Sequence, residues 1–420
     1  MLKRLLSGLA SLLAFGAAAA QTTVSFLDVG PERDAFNLEV VRLFEAENPD
    51  IRIDYNWIAN EPYKTAIKVM LESNSPPDLY FVWAGIFAND FVDSRVAGDI
   101  ADTAARGDGW AATMPPALID QFRYKGGLYG APSEIYAKPF WKNDAFFAQH
   151  ELAVPETIDD VIRLCRTIRR IDDDMTPISF GGSESWTISH YVTMLFERHV
   201  PADVREADFY LTADPDDLWT DPGYVAALND LKRMERADCF NKGINSMDPG
   251  VSRTMFAIEL AAMTFCGSWC PPIFDADEFA GRYSPFAFPG VEGGRGDQEA
   301  MLVGVQGYQL SAATEVREEA LRFLDFLLSP RVQAMMARMA NQLPANASGI
   351  EEGDLPPISV EILDMVAAAP SSVPPVNTVV ETGVGDVILK SGQDFLAGTA
   401  DAEEMMARVR AQAIRAKTRL

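Results

Sequence analysis

The stretch TVSFLDVGPERDAFNLEVVRLFEAENPDIRIDYNW (23–57) decides the fold. It opens with an apolar run that ends at a Gly-Pro turn, and apolar residues then follow at helical spacing over 33–47. Asn-Pro-Asp stops that helix, and 51–57 alternates as a second strand. A helical pattern at 64–74 and an apolar run at 78–83 repeat the order. Strand, helix, strand, helix, strand predicts a parallel sheet with covering helices, so the fold class is α/β.

The rest of the chain carries patterns of its own. Helices are predicted over 157–170, 189–197, 222–237, 315–328, 330–340 and 401–417, and a strand over 262–265. The stretch 341–375, rich in Pro, Ala and Ser, is typical of a segment that crosses between domains. One hydrophobic core rarely grows past about 250–300 residues, so a chain of 420 residues is expected to form two domains.

The first twenty residues have the order of a secretory signal. Lys3 and Arg4 precede a short apolar run, and four alanines end at Ala20. The run is shorter than the ~20 residues that a membrane-spanning helix needs. We therefore predict a signal peptide at 1–20 that is cleaved after Ala20, and a mature protein located in the periplasm.

The charge balance excludes one class of function. The chain carries 61 acidic and 36 basic residues, for a net charge of −25. Such a surface repels nucleic acid and anionic membranes, and the excess mainly favours solubility. Nucleic acid is therefore not expected as a partner.

Four cysteines indicate structural bridging and not a metal site. In an oxidising periplasm Cys165, Cys239, Cys266 and Cys270 can form two disulfides, with three possible connectivities, or remain buried thiols. The three histidines form no zinc-ligand spacing with Cys266 and Cys270. No metal and no cofactor is predicted.

Several segments together resemble family 1 of the extracellular solute-binding proteins, the sugar-binding components of ABC importers. The resemblance is carried, in order, by FNLEVVRLFEAENPDIRIDY (36–55), PPDLYFVWAG (76–85), GGLYGAP (126–132), WKNDAF (141–146), PETIDDV (155–161), AAMTFCGSW (261–269), VGVQGYQL (303–310), EEALRFLDFLLSP (318–330) and LPAN (343–346). Ile158 stands where the family commonly has tryptophan. Each motif alone is weak, and their correct order over most of the chain carries the identification.

The resemblance implies the maltose-binding-protein-like fold, in which two α/β lobes built from discontinuous segments enclose a ligand cleft. It implies a first lobe of 21–133 plus 298–342 and a second of 134–297 plus 343–420. The implied function is capture of a mono- or oligosaccharide by hinge closure and delivery to the permease of an ABC transporter in the inner membrane. The chain is then a monomeric binding protein and not an enzyme.

A sugar needs a flat aromatic platform for its C–H face and polar groups around its hydroxyl rim. Trp83 ends a predicted strand, where ligands bind in open α/β sheets, although a core position is the alternative. The resemblance places Trp269 in the cleft, with packing between the lobes as the alternative, and an aromatic at Trp186, with core packing as the alternative. The other tryptophans, Trp57, Trp110, Trp141 and Trp219, are expected to pack or to lie at the surface.

Polar candidates for the rim are Glu134, Glu32 and Gln306. Either carboxylate can accept hydrogen bonds from a pair of hydroxyls, and a solvated surface charge is the alternative for each. Gln306 lies between small residues and is expected in a loop. Arg33 is expected to be an exposed residue of the first turn of its helix. Buried polar groups left unpaired cost about 1–3 kcal/mol each, which is how such a site rejects the wrong epimer.

Two other ligand or function classes remain open. A glycoside hydrolase needs a pair of carboxylates flanking the bond, and no pair at strand ends stands out. The nearest approach to a nucleophile elbow, GGSES (181–185), has Ser185 where the last glycine belongs. Proteins of this architecture also bind polyamines or phosphorylated small molecules, and a polyamine suits aromatic walls with carboxylates.

Overall fold

The computed structural model describes residues 21–31, 33–106, 109–275, 279–351 and 353–419. The predicted signal peptide at 1–20 lies outside the described residues. The strands of the described part are β1 (Thr22–Val29), β2 (Ile51–Ile58), β3 (Leu79–Trp83), β4 (Arg123–Tyr124), β5 (Gly127–Leu128), β6 (Ala131–Ala137), β7 (Phe140–Asn143), β8 (Thr176–Ser179), β9 (Ala261–Phe265), β10 (Tyr283–Phe286), β11 (Met301–Leu310), β12 (Leu343–Pro344) and β13 (Ser372–Val373).

Helices cover both sheets. They are α1 (Asp34–Glu47), α2 (Asn60–Leu71), α3 (Ile86–Asp93), α4 (Ala101–Ala104), α5 (Pro116–Asp120), α6 (Asp144–Gln149), α7 (Ile158–Ile171), α8 (Ser185–His199), α9 (Ala202–Phe209), α10 (Pro222–Arg236), α11 (Pro249–Ala257), α12 (Pro271–Phe274), α13 (Arg317–Leu327), α14 (Pro330–Ala340), α15 (Pro357–Ala368), α16 (Val376–Val379), α17 (Thr382–Leu396) and α18 (Ala402–Lys417). None of the helices in the described ranges combines the length and apolar character that crossing a membrane requires.

The larger sheet confirms the predicted parallel unit and extends it. Its strand order in the described residues is β12-β6-β11-β3-β1-β2, with β13 paired to β11. Strands β1, β2 and β3 are parallel, as the strand–helix alternation predicts. Strand β11 runs antiparallel to both β3 and β6, so the sheet as a whole is mixed. Strands β6 and β11 lie side by side, and both lead from one lobe towards the other.

The smaller sheet has the order β10-β7-β9-β8. Strands β8 and β9 are parallel, and β7 is antiparallel to both β9 and β10. Strand β9 is buried along its whole length, as expected for an inner strand covered on both faces.

Separate hydrophobic cores underlie the two sheets. One core joins buried residues of 24–131 with residues of 308–345. The others draw on 136–302 and 373–416, and on 137–362. The chain is therefore a two-lobed α/β protein, with each lobe assembled from segments distant in sequence.

Local signals explain several of the helix starts. The Thr157 hydroxyl accepts from the backbone N–H of Asp160, and the Asp160 carboxylate accepts from the backbone N–H of Thr157. Asp401 and Glu404 form the same reciprocal cap at the start of α18. Such a capping box satisfies N–H groups that have no partner within the helix, and it fixes both helices where the sequence predicts them.

The four cysteines form two bridges in the second lobe. Cys165 of α7 pairs with Cys239, which follows α10, across 74 positions of sequence. Cys266 pairs with Cys270 across four positions. This pairing resolves the three connectivities that the sequence leaves open.

Three local predictions are corrected by the structure. The stretch 341–375 is not only a crossing segment, since it contains the helix α15. The long helix α17, which packs on α8 and α18, is absent from the sequence-based prediction. Gln306 lies within β11 and not in a loop.

Candidate ligand-binding cavity

A cavity of about 390 Å³ opens where the two lobes face each other. Its size lies within the range of about 300–1,000 Å³ that is usual for small-molecule sites. The first lobe contributes the loop after β1, α2, and the end of β3 with α3. The second lobe contributes the starts of α8 and α11, Trp269, and residues of α16 and α17. Any molecule in this space therefore contacts both lobes.

Five of the six predicted site residues line this one cavity. They are Trp83, Glu134, Trp186, Trp269 and Gln306. The sixth, Glu32, lies outside the described residues.

Trp83 lines the cavity from the first lobe. It is the last residue of β3, and its half-buried ring makes edge-to-face contacts with Phe81 at 4.8 Å and Phe87 at 5.3 Å between ring centroids. Lys64 of α2 lies 5.7 Å from its centroid. The neighbouring rings fix the plane of the indole, so it presents a pre-oriented apolar face.

Two further tryptophans form the wall on the side of the second lobe. The ring centroids of Trp186 and Trp269 are 6.1 Å apart, and Trp269 lies 5.6 Å from Tyr136. Both indoles are half-buried, and the indole N–H of Trp186 donates to the carboxylate of Glu184. The wall therefore combines aromatic faces with polar groups already held in place.

Glu134 is the centre of a buried charge network. One of its oxygens accepts from the Arg33 guanidinium at 2.7 Å, and the other accepts from the side-chain amide of Gln306. Arg33 also donates to Asp28 at 2.7 Å, and Asp28 in turn accepts from Asn37 at 2.6 Å. Burial raises the pKa of Glu134, although Arg33 and Gln306 oppose this rise. The carboxylate thus accepts a hydrogen bond on each oxygen and is not a solvated surface charge.

The prediction that Arg33 is exposed is wrong. Its side chain is 5% accessible, and its guanidinium carbon lies 4.8 Å from the Phe81 ring centroid. Burial alone would lower the pKa of Arg33, but Asp28 and Glu134 together raise it well above its ordinary value. The two carboxylates therefore hold the guanidinium charged at the cavity wall.

Strand register brings three of the site residues together. Gln306 of β11 is opposite Trp83 in β3 on one side and opposite Glu134 in β6 on the other. The small residues around Gln306 permit this close pairing and do not mark a turn. The sequence gives no sign of the register, since Gln306 is 172 residues away from Glu134 and farther still from Trp83.

Other wall residues have no counterpart among the sequence-based candidates. Asp248 caps α11 by accepting from the backbone N–H groups of Gly250 and Val251. Thr382 begins α17 and donates to Asp90 of α3 at 2.6 Å. The Asp-Pro-Gly signature at 248–250 marks a helix start from sequence alone, but its position against the cavity depends on the tertiary fold. Among the described residues, no group of histidine, cysteine, aspartate and glutamate side chains is arranged to hold a metal ion.

Comparisons with known proteins agree with this architecture. The family model for bacterial extracellular solute-binding proteins matches residues 23–334. The multiple sugar-binding protein of Streptococcus mutans is 25% identical over 318 residues, which cover 74% of this chain and 72% of that protein. An uncharacterized ABC transporter extracellular-binding protein of Pyrococcus horikoshii is 32% identical over 162 residues, which span 38% of this chain and 37% of that protein.

A solved structure has the same fold along nearly the whole chain. It is a protein from work on xylan utilization by Caldanaerobius polysaccharolyticus, with a TM-score of 0.86 and 23% identity over 93% of this chain and 99% of the other. Two lobes around an aromatic cavity, together with a family match over 23–334, show that the chain belongs to the bacterial extracellular solute-binding protein family.

Proposed function

We propose that this protein is the periplasmic sugar-binding component of an ABC importer, which captures a mono- or oligosaccharide between its lobes and delivers it to a membrane permease. The observation that carries the proposal is the cavity between the lobes, which is lined by Trp83 from the first lobe and by Trp186 and Trp269 from the second. A pyranose ring has two apolar C–H faces and a polar edge, so it fits between such walls.

The polar groups of the cavity suit the edge of a sugar. Gln306 and Glu134 lie beside Trp83, and Asp248, Glu184 and Lys64 line the same space. Because their hydrogen bonds already fix them in position, little ordering entropy is lost when hydroxyls bind. In this proposal Trp83, Trp186 and Trp269 stack on the ring, while Glu134, Gln306 and Glu32 contact its hydroxyls.

The ligand enters and leaves through movement of the lobes. We assign 21–133 plus 298–342 to the first lobe and 134–297 plus 343–420 to the second. The separate hydrophobic cores support this division over most of the chain, although Leu302 packs in the core of the second lobe and Ala345 in that of the first. Hinge closure about the strands that connect two such lobes is a common ligand response, and it would bury the sugar from both sides.

Names of the relatives support both the ligand class and the transport role. The Streptococcus mutans relative is a multiple sugar-binding protein, and the Pyrococcus horikoshii relative is an ABC transporter extracellular-binding protein. We infer that the chain is exported by cleavage after Ala20, acts as a monomer in the periplasm, meets an ABC permease, and performs no catalysis.

A thermal-shift screen tests the proposal. The purified mature protein is heated with mono- and disaccharides, polyamines and glycerol phosphates, because a ligand that binds only the folded state raises the melting temperature. A shift with saccharides supports the proposal. A shift with a polyamine and with no saccharide would overturn it in favour of polyamine capture, for which carboxylates such as Asp90 and Glu184 beside the tryptophans would supply the counter-charges.

A further inference from the structure

A small recess adjoins the cavity beside the tryptophan wall. It measures about 20 Å³ and shares Trp186, Trp269, Pro249 and Arg253 with the main cavity. A cavity needs about 10–15 Å³ to hold one water molecule. The recess is therefore large enough for a small substituent and too small for a sugar ring.

The recess contains a buried lysine that lacks a carboxylate partner. Lys138 is 3% accessible, and no aspartate or glutamate of the described residues forms an ion pair with it. Its ammonium group lies 3.0 Å from Nδ1 of His190, 4.4 Å from the Phe265 ring centroid and 5.4 Å from that of Trp186. A buried charge is normally paired, so the recess is a site that favours an added anion.

Two hydroxyls in the same recess also lack partners. Ser179 and Tyr191, 2% and 1% accessible, line it, and neither hydroxyl oxygen has a hydrogen-bond partner in the described part of the chain. Buried hydroxyls are nearly always satisfied. Their shared position beside Lys138 indicates that a bound group supplies their missing hydrogen bonds.

The charge of the recess differs from that of the rest of the protein. Lys138 and Arg253 line it, whereas none of its described wall residues is acidic, in a chain of net charge −25. Acidic residues line the main cavity, but Glu134 is held by Arg33 and Gln306, and Asp248 caps α11. The local field in the recess therefore favours a negative group.

We propose that this recess receives the carboxylate of an acidic sugar, so that the captured saccharide contains a uronic acid. The inference rests on the proposed function and names its ligand class. The sugar ring lies in the main cavity against Trp186 and Trp269, and its exocyclic carboxylate enters the recess. A neutral hydroxyl would supply no negative charge to stabilise the ammonium form of Lys138.

The environment of Lys138 supports the same assignment. Burial, followed by the charge of Arg253, lowers the pKa of Lys138 well below its ordinary value. A carboxylate beside the amine would favour its charged form. The ligand would thus supply the partner that the described residues do not.

The test compares matched neutral and acidic sugars. Calorimetric titrations use glucose with glucuronate, galactose with galacturonate, and the corresponding disaccharides, on the wild type, Lys138→Met and Tyr191→Phe. Lys142→Met is the matched control, because Lys142 lies in the adjoining strand, pairs with Asp144, and lines neither cavity.

The acidic member of at least one pair is expected to bind more tightly than the neutral one. Lys138→Met should weaken acid binding by about 30-fold or more, as for loss of one partner in a buried charge pair, and should leave binding of neutral sugars nearly unchanged. Tyr191→Phe keeps the packed ring and should weaken acid binding by a smaller factor. It also keeps the test decisive if Lys138→Met does not fold.

Four results would overturn the inference. Neutral sugars that bind as tightly as their acids, or acid binding unaffected in both variants, would remove the carboxylate from the recess while the sugar-binding function stands. Chloride is titrated as well, and a chloride-induced stabilisation that is lost in Lys138→Met, without preference for sugar acids, would assign the recess to an inorganic ion. Binding of no saccharide at all, neutral or acidic, would reject the proposed function itself.

Discussion

Arg33 and Glu134 are joined by a hydrogen-bonded ion pair of 2.7 Å that spans 101 positions of sequence. Arg33 precedes α1 of the first lobe, and Glu134 lies in β6, one of the strands that lead towards the second. Asp28 completes the pair on the other side of the guanidinium. Arg33 and Glu134 of the cavity wall therefore belong to a buried cluster of one cation between two carboxylates.

Removal of the cation should be far more damaging than removal of one anion. Arg33→Met leaves Asp28 and Glu134 buried without their counter-charge, which costs about 3–5 kcal/mol of unfolding free energy. Glu134→Gln leaves Arg33 paired one-to-one with Asp28, so this variant should lose clearly less unfolding free energy than Arg33→Met. Urea unfolding of both variants measures the difference. Arg42→Met, which breaks the exposed pair with Glu39, is the control and should change stability far less, because exposed ion pairs contribute little. Equal losses for Arg33→Met and Arg42→Met would contradict the structural role of the cluster.

The cavity tryptophans should affect binding much more than folding. Trp83→Ala and Trp269→Ala each remove an aromatic face from the cavity, and we expect saccharide affinity to fall by about 10-fold or more. Trp57→Ala is the matched control, because Trp57 is 40% accessible and does not line the cavity. Calorimetry gives the affinities, and the quenching or enhancement of tryptophan fluorescence by sugar should diminish in the two cavity variants alone. Unchanged affinity in both would mean that the sugar binds elsewhere.

A side chain at Gly85 should disturb the contact between the lobes beside Trp83. Gly85 has φ of 99° and ψ of −146°, a region that only glycine visits readily, and a Cβ there would overlap the carbonyl oxygen of Thr378. Gly126 also has a positive φ of 84°, but a Cβ there meets nothing within 4 Å. Gly126→Ala should therefore cost about 1–3 kcal/mol from backbone strain, and Gly85→Ala distinctly more. Thermal unfolding compares the two, and a smaller loss for Gly85→Ala would refute the close approach of Thr378.

The predictable parts of the fold are those encoded locally. The first three strands and α1 follow from apolar periodicity and from Asn-Pro-Asp at 48–50, and Pro330 marks the start of α14 at the predicted residue. The place of Trp83 on the cavity wall is predictable, because the sequence shows where the buried strand ends and ligands bind at the carboxyl ends of such strands.

The unpredicted parts depend on contacts between distant segments. A first-turn arginine is usually exposed, and the burial of Arg33 is a consequence of Glu134 and Asp28. The residues around Gln306 resemble a loop because of Gly304 and Gly307, yet these glycines make room for the Tyr136 ring and for the Ala131 carbonyl in a paired strand. Lys138 lies in the apolar stretch IYAKPFW (135–141), but its place beside His190 and Trp186 depends on packing between distant segments.

The two disulfides should differ in their contribution to stability because they close loops of different length. In the chain-entropy model the Cys165–Cys239 bridge, with a sequence separation of 74, stabilises by about 4 kcal/mol. The Cys266–Cys270 bridge, with a separation of four, contributes about 2 kcal/mol in the same model. Paired alanine substitutions at each bridge, followed by urea unfolding, measure both. A greater loss from the short bridge would show that native packing and not loop closure controls the effect.

Acid should destabilise the protein through His190. Burial first, and then the neighbouring charges of Lys138 and Lys64, lower the pKa of His190 well below its ordinary value, so the folded ring stays neutral where the unfolded ring binds a proton. The unfolded state then holds more protons below about pH 6.5, and the stability present above that pH is lost as pH falls, by up to about 1.4 kcal/mol per pH unit. His190→Gln keeps a hydrogen-bond acceptor for Lys138 but cannot titrate, so its unfolding free energy should fall less steeply than that of the wild type between pH 6.5 and 5. Above pH 7.5 the unfolding free energies of the wild type and of His190→Gln should change with pH in the same way. Urea unfolding across this range measures both proteins. If the unfolding free energy falls equally steeply with pH in both below pH 6.5, protonation of His190 does not contribute to acid lability.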